Sequence, residues 1–167
     1  HSSGAIMNVK LRQASILRHF WIHNQNRNMK WNPDTESDLI NNVFYNFGSG
    51  NSNTNDLTNY SNLSLPMQMD IIKNLWKAGP NTGANTPRGN FVTNPLPPST
   101  SRFYTLGNID SVRVNQGQSE WLTISSAMPE SPYRSMTRVV PITTTGILET
   151  ANLISTLSST VGARPWD

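Results

Sequence analysis

The stretch TESDLINNVFYNFG, residues 35–48, decides the predicted fold. Its apolar residues recur at the spacings that are typical of one face of an amphipathic helix. Thr35 followed three residues later by Asp38 resembles a helix-capping box, and Gly48 supplies a stop signal. The apolar stripe consists of Leu39, Ile40, Val43, Phe44 and Phe47. We therefore predict a helix in this segment.

Two flanking segments carry the same kind of stripe. Residues 9–23 place apolar side chains at spacings typical of a helix, namely at Val9, Ile16, Leu17, Phe20 and Trp21. A third stripe opens at Ser64, has Pro66 in its first turn and stops at Gly79. Its apolar positions are Met67, Ile71, Ile72, Leu75 and Trp76. We predict helices in both segments, so the N-terminal half is expected to contain about three helices.

The three stripes share an aromatic residue at a similar place, at Trp21, Phe44 and Trp76. Their spacing and flanking residues differ, and no repeat with a period of about 20 to 50 residues is visible. We therefore attribute the shared aromatics to one common core.

The pattern changes after residue 79. Residues 80–101 are rich in Pro and Asn, and Pro excludes a regular helix and most strand pairing, so we predict a linker or an arm. Alternating apolar residues then predict short strands around Phe103, Val112 and Trp121 and over 137–142. Thr145 caps a predicted helix that ends near Gly162. The predicted fold class is α+β, with a helical N-terminal half followed by a Pro-rich linker, short strands and a C-terminal helix.

These segments give a domain organisation. Residues 1–4, HSSG, resemble the remnant of a polyhistidine expression tag. Residues 5–79 form the helical region, residues 80–101 the linker or arm, and residues 102–167 a mixed strand and helix region. At 167 residues the chain has the usual size of one domain, so we expect the last region to pack with the helical region.

The composition excludes several classes of site. Without cysteine, the chain has no disulfide, no thiolate nucleophile and no Cys-ligated metal. Its apolar runs are far shorter than the roughly 18 residues that cross a bilayer, so we predict no membrane span. Only 14% of the residues are charged, against about 25% in an average soluble domain, while Asn, Ser and Thr are abundant. The predicted surface is therefore largely neutral and polar.

No catalytic or metal-binding constellation stands out. His19 and His23 lie four residues apart, but no third ligand is nearby, and we interpret them as surface or core histidines rather than metal ligands. The sequence lacks Gly-x-Ser-x-Gly and a phosphate-binding loop, and no pair of carboxylates is distinguished by an apolar surround. We predict no metal, no cofactor and no enzymatic activity.

Charge is unevenly distributed along the chain. Residues 1–31 contain five cations and no acid, whereas residues 32–70 contain acids and no base. One interpretation is a nucleic-acid-binding segment, since cations interleaved with aromatics neutralise phosphates and stack on bases. Its residues are Lys10, Arg12, Arg18, Arg27 and Lys30. The alternative is that the two oppositely charged segments face each other within the chain or between subunits.

Long polar, Pro-rich segments with few charges favour assembly over catalysis, because such segments become ordered against neighbouring subunits without desolvating charge. In composition the chain resembles components of virus or bacteriophage particles, such as capsid, capsid-associated or tail proteins. We therefore expect a structural protein of a virion that contacts other protein subunits in a homo- or hetero-oligomer. The expected interface anchors are the exposed members of a set of tryptophans, Trp31, Trp76, Trp121 and Trp166.

Two alternatives remain open. The first is the nucleic-acid-binding module described above. The second is an extracellular or tail-fibre domain that binds carbohydrate through Trp or Tyr platforms, with Asn side chains as hydrogen-bond partners.

Overall fold

The computed structural model describes residues 3–7, 11–24, 26–31, 34–47, 65–82, 89, 96–124, 128–141 and 144–159. For 3–7, and for 26–31 apart from Asn28 and Trp31, only the backbone is described. Ten strands run in chain order: β1 Ser3–Met7, β2 Arg12–Leu17, β3 Phe20–Ile22, β4 Asn26–Trp31, β5 Glu36–Ile40, β6 Val43–Tyr45, β7 Gln68–Ile72, β8 Leu75–Lys77, β9 Arg102–Leu106 and β10 Arg134–Ser135. The short helices are α1 Glu130–Tyr133 and α2 Leu153–Ser158, and 3-10 turns lie at Glu120–Thr123 and Thr150–Asn152.

Every strand pair is parallel. One sheet has the order β10-β9-β7-β5-β2, a second has the order β3-β6-β8, and β1 pairs with β4. In the first sheet, β2, β5 and β7 are each followed, after two residues, by a strand of the second sheet. The chain then returns to the first sheet, where its next strand pairs with the preceding strand of that sheet. The result is a parallel β-solenoid. We call β2 with β3 the first rung, β5 with β6 the second, β7 with β8 the third, and β9 with the corner after it the fourth.

The corner between the two sheets has the same backbone conformation in each rung. Its first residue has a positive φ of 55° at Arg18, 57° at Asn41, 48° at Lys73 and 67° at Gly107. This left-handed conformation is tolerated best by Gly and Asn, and here it turns the chain sharply between two strands. The second corner residue is His19, Asn42, Asn74 or Asn108. The corner therefore repeats although the loops between rungs differ in length.

The predicted helical N-terminal half is wrong. The three segments that were expected to be helices are the strand pairs of the first three rungs. The cause is visible at the second rung, where Leu39 and Phe44 point into the solenoid while Ile40 and Val43 lie buried on its outer side. Both faces of these strands are buried, so each strand contributes adjacent apolar residues. The two-residue corner then separates these apolar pairs by the three to four residues that are also typical of a helix.

The C-terminal half also differs from the prediction. β9 continues the sheet of β7, so residues 102–106 belong to the same solenoid as the N-terminal half. The segment around Val112 is loop and that around Trp121 is a 3-10 turn rather than a strand. Of the predicted C-terminal helix, the described residues contain the 3-10 turn and α2. Ser3 and Gly4, which the sequence assigned to a tag remnant, lie in β1.

Two apolar clusters stabilise the fold. The larger fills the interior of the solenoid and consists of Trp31, Leu39, Phe44, Phe47, Met67, Met69, Ile71, Trp76, Phe103, Trp121, Ile124, Met128 and Tyr133. The smaller lies outside, where Val43 contacts Leu153 and Leu157 of α2. Residues 138–141 and 144–158, which we call the C-terminal strap, therefore cover the outer face of the middle rungs.

Candidate functional site

An asparagine ladder runs along the corners of the rungs. The backbone N–H of Asn42 donates to Oδ1 of Asn74 at 2.9 Å, and that of Asn74 donates to Oδ1 of Asn108 at 2.9 Å. The N–H of His19 donates to Oδ1 of Asn42 in the same way, also at 2.9 Å. Each rung therefore supplies a side-chain acceptor to the rung before it, and these buried amides satisfy backbone groups that the corner would otherwise leave unpaired.

An aromatic stack runs parallel to the ladder inside the solenoid. The rings of Phe44 and Trp76 are stacked with centroids 5.1 Å apart, and those of Trp21 and Phe44 with centroids 6.2 Å apart. Phe44 therefore has an aromatic neighbour on both faces. Trp21 ends the stack, is half-buried, and has a buried indole N–H without an acceptor among the described residues.

The first rung is open along β2 and β3, while β4, the strand that follows β3, pairs in parallel with β1. In the described part of the chain, β2 has β5 as its single neighbour and β3 has β6. The N–H of Arg18 donates to the carbonyl of Ile40, and successive residues of a strand direct their backbone groups to opposite neighbours. The backbone groups of Leu17 therefore face the open edge. Such an edge is a template for pairing with another chain.

A groove of about 340 Å³ lies beside this edge, between the outer face of β2 and the C-terminal strap. Its lining mixes apolar, hydroxyl, amide and guanidinium groups, from Ser15, Leu17, Arg18, Ile40, Asn41, Thr144, Thr145 and Gly146. The Arg18 guanidinium donates to the Gly146 carbonyl at 2.6 Å and so closes one side of the groove.

Two buried aspartates hold the strap on the outer face of the solenoid. Asp38 and Asp70 are register partners on β5 and β7. Asp70 accepts hydrogen bonds from Nε of Arg138 at 2.6 Å and from the N–H of Val139 at 2.8 Å. Asp38 is held less well, because Arg138 and Thr144 donate to its Oδ2 at 3.4 Å each and Oδ1 has no partner of good geometry.

Burial raises the pKa of Asp38 above its ordinary value, and the nearby Asp70 carboxylate adds to the increase. Hydrogen bonding from Ser15 and Thr144 and the charge of Arg138 lower the pKa but do not outweigh burial. The two aspartates thus occupy equivalent positions in neighbouring rungs with unequal support. Since both are covered by the strap, this cluster has the character of a structural clamp.

The structure describes two of the five cations predicted to bind nucleic acid. Arg12 forms an ion pair with Asp34 and lies 4.0 Å from Glu36, so its charge is used within the chain. Arg18 lies at the groove. Lys10 and the side chains of Arg27 and Lys30 lie outside the described residues.

Three of the four predicted interface anchors are buried. Trp31, Trp76 and Trp121 belong to the interior cluster, and none is more than 8% exposed. Trp166 lies outside the described residues. Among the described tryptophans, Trp21 at the open rung is the one that reaches the surface, and it was predicted to lie in a helix and in the common core.

The two histidines occupy different positions from those of a helical pair. His19 is the ladder residue of the first rung and is exposed, with its ring tilted against Trp21 at 5.6 Å. His23 lies at the end of β3, where its ring contacts Tyr45 and Asn46. Among the residues that the structure describes, no group of three or more His, Cys, Asp or Glu side chains could hold a metal ion.

Sequence reasoning missed the ladder and the open edge. A signal was present in three short segments, LINNVF, IIKNLW and TLGNID, each with Asn after a corner residue and an apolar residue next. The ladder asparagines are 32 and 34 residues apart, so unequal loops concealed the repeat.

Comparison with protein-family models, with curated proteins and with solved structures found no match for the chain. None of the helices in the described ranges has the length and hydrophobicity that crossing a membrane requires.

Proposed function

We propose that this chain is a non-enzymatic structural protein that joins protein subunits of a larger assembly, and that the assembly is a virus or bacteriophage particle. The observation that supports assembly is the position of the exposed large apolar side chains. Leu17 and Ile22, 39% and 42% exposed, lie in the first rung, and Leu106, Val114 and Met136 lie at or beyond the fourth. Leu96, 39% exposed, lies in the segment that leads into the fourth rung. In the described residues, the second and third rungs expose no large apolar side chain.

Most of the exposed large apolar side chains therefore lie at the two ends of the solenoid. Exposed apolar groups mark interaction sites when they cluster, and terminal repeats of a solenoid need a polar cap to remain soluble alone. In the described part of the chain, the first rung has exposed apolar side chains, and the backbone groups of Leu17 face its open edge. Contacts between subunits are therefore expected at the ends, with the sides of the solenoid left free.

The experiment is size-exclusion chromatography with light scattering over a series of protein concentrations. We expect the isolated chain to associate as its concentration rises, and Ile22→Lys to reduce that association because it places a charge in the apolar surface of the open rung. Ala78→Lys is the matched control, since it adds the same charge at an exposed site beside the third rung. A chain that is monomeric at every concentration and that co-purifies with no other particle subunit would overturn the proposal.

The particle itself is tested separately. Mass spectrometry of purified particles from the source of the sequence should detect the chain in a fixed ratio to the other subunits. Its absence from such particles, with association intact, would remove the virion while leaving the assembly role.

The two alternative functions have less support. The carbohydrate-binding alternative relied on Trp or Tyr platforms and Asn side chains. The described tryptophans other than Trp21 are buried, and Asn42, Asn74 and Asn108 form the ladder, so this alternative now depends on the Tyr side chains. The nucleic-acid alternative stays a prediction that rests on the cations of residues 1–31. It predicts binding that falls steeply between low and physiological salt.

A further inference from the structure

The proposed assembly requires an occupant for the open rung, and the structure indicates which geometry that occupant has. Within the solenoid each rung contacts the next through three features: parallel strand pairing, the ladder hydrogen bond and the aromatic stack. Along β2 and β3 all three stop at the first rung among the described residues, whereas β4, which follows β3, pairs in parallel with β1. A partner that reproduced the three features would extend the solenoid by one rung.

The ladder gives the docking surface a polarity. Each ladder side chain accepts a hydrogen bond from the backbone N–H of the rung before it. At the first rung the ladder residue is His19, whose exposed imidazole has a nitrogen that can accept such a bond. A rung that docks parallel to β2 would direct its own ladder N–H at this imidazole.

The aromatic stack gives a second, independent indication. Trp21 presents one face to Phe44 and is only half-buried, and its indole N–H is buried without an acceptor in the described part of the chain. Buried Trp N–H groups usually have a partner. A docked rung would cover the part of the Trp21 side chain that stays exposed beside the His19 ring.

A second copy of this chain is a poor occupant in the parallel orientation. It would have to present its fourth rung, where β10 already pairs with Phe103 and Tyr104 of β9. The corner of that rung is also covered, because the N–H of Gly107 donates to Glu120 at 2.8 Å and Gln116 donates to the carbonyl of Gly107. The far end is therefore closed where the first rung is open.

We propose that the first rung is a docking site for a parallel β-rung of another polypeptide, aligned so that its corner N–H donates to the His19 imidazole and an aromatic side chain stacks on Trp21. The recognised chemistry is an extended segment with alternating apolar residues, a two-residue corner and an aromatic two residues beyond. This inference rests on the proposed assembly function and specifies the contact by which it operates.

The probe is a fluorescently labelled peptide with the sequence of residues 34–47 of this chain, because that segment already pairs with β2 and β3 from the other side. Binding to the intact chain is followed by fluorescence anisotropy. We expect saturable binding, because the peptide can pair with the open edge of β2 and β3. The reversed-sequence peptide, which has the same composition and cannot align in parallel register, should not bind.

Two changes test the ladder bond. N-methylation of the peptide nitrogen that corresponds to Asn42 removes the donor, and His19→Ala removes the acceptor. Each is expected to weaken binding by about tenfold, as one hydrogen bond between partly buried groups would. His19→Asn should restore binding, because Asn is the acceptor in the other rungs.

Two further variants locate the site. Leu17→Pro removes a backbone N–H on the open edge and should abolish peptide binding, with circular dichroism verifying that the fold is retained. Met136→Lys at the far end should leave binding unchanged. Equal binding of the forward and reversed peptides, or His19→Ala without effect, would overturn this inference. If the chain still associates in that case, the assembly function stands, whereas a monomeric chain that binds no peptide and co-purifies with no other particle subunit removes both.

Discussion

The middle rungs and the first rung are built from the same pattern and differ in what covers them. In the second and third rungs the ladder residues and the inward-facing side chains of Leu39 and Ile71 are almost completely buried, and the strap lies over the outer face. In the first rung the equivalent ladder residue His19 is exposed and the inward-facing Ile16 is only partly buried. Position in the stack, rather than residue type, therefore decides how much a residue contributes to stability and how much surface it leaves for a partner.

The largest expected difference in stability between the middle rungs and the first rung is in the aromatic stack. Phe44→Ala removes a buried ring that has an aromatic neighbour on both faces, and it should lower the free energy of unfolding by about 4 kcal/mol. Trp21→Ala removes a half-buried ring that is stacked on one face only and should have about half that effect, at about 2 kcal/mol. Urea denaturation of both variants measures the difference. Equal losses would show that the open rung is packed as tightly as the middle ones.

The asparagine ladder gives the next largest effect. Asn74→Ala leaves the N–H of Asn42 and the carbonyl of Leu39 without their partners at 2.9 and 2.8 Å, both in a buried corner. We expect a loss of about 3 kcal/mol, because unsatisfied buried groups carry a desolvation penalty. His19→Ala at the exposed end of the ladder should change stability by less than about 0.5 kcal/mol. Thermal unfolding measures both variants. A larger loss of stability for His19→Ala than for Asn74→Ala would contradict the difference between the first and the middle rungs.

Within the middle rungs, the strap clamp contributes less than the core. Asp70→Asn removes the negative charge that pairs with Arg138. It also replaces one acceptor oxygen by an N–H₂ donor, which would face either Nε of Arg138 or the N–H of Val139, both of which are donors. Since Arg138 is partly exposed, we expect a loss of about 2 kcal/mol rather than the larger value for a fully buried pair. Hydrogen exchange should show faster exchange in the strap. Unchanged exchange there would mean that the clamp does not hold it.

The sequence allowed the positions of the buried apolar residues to be predicted, but not their secondary structure. The apolar stripes of residues 35–48 and 64–79 do mark buried segments. Periodicity could not distinguish a helix from two strands joined at a corner, because the strap buries the outward-facing Ile40 and Val43 as well. Covering of an outer face by a distant part of the chain is a tertiary effect that local spacing does not record.

The open rung could not be predicted for a related reason. His19 and His23 were compared as helix neighbours, whereas on strands they fall at two different corners. Arg12 was grouped with the other cations, but its carboxylate partners come from the second rung, 22 and 24 residues later in the chain. The recurring Asn of the corners was the one sequence signal for the rungs. It was not recognised as a repeat because the loops between rungs differ in length.

The smallest expected change in the free energy of unfolding is a stabilisation, at Asp38. Asp38 corresponds in register to Asp70, yet its pKa is raised by burial, so its ionised form is less stable in the folded chain than in the unfolded one. Its unfavourable contribution is absent below the unfolded pKa of about 3.9 and grows as pH rises through the folded value. Asp38→Asn is therefore expected to stabilise the chain slightly at neutral pH and to lose this effect as the pH falls to values where Asp38 is protonated. Urea titrations across the acidic range measure this difference, and a variant that is less stable than the parent chain at neutral pH would show that Arg138 and Thr144 hold Asp38 as firmly as Arg138 and Val139 hold Asp70.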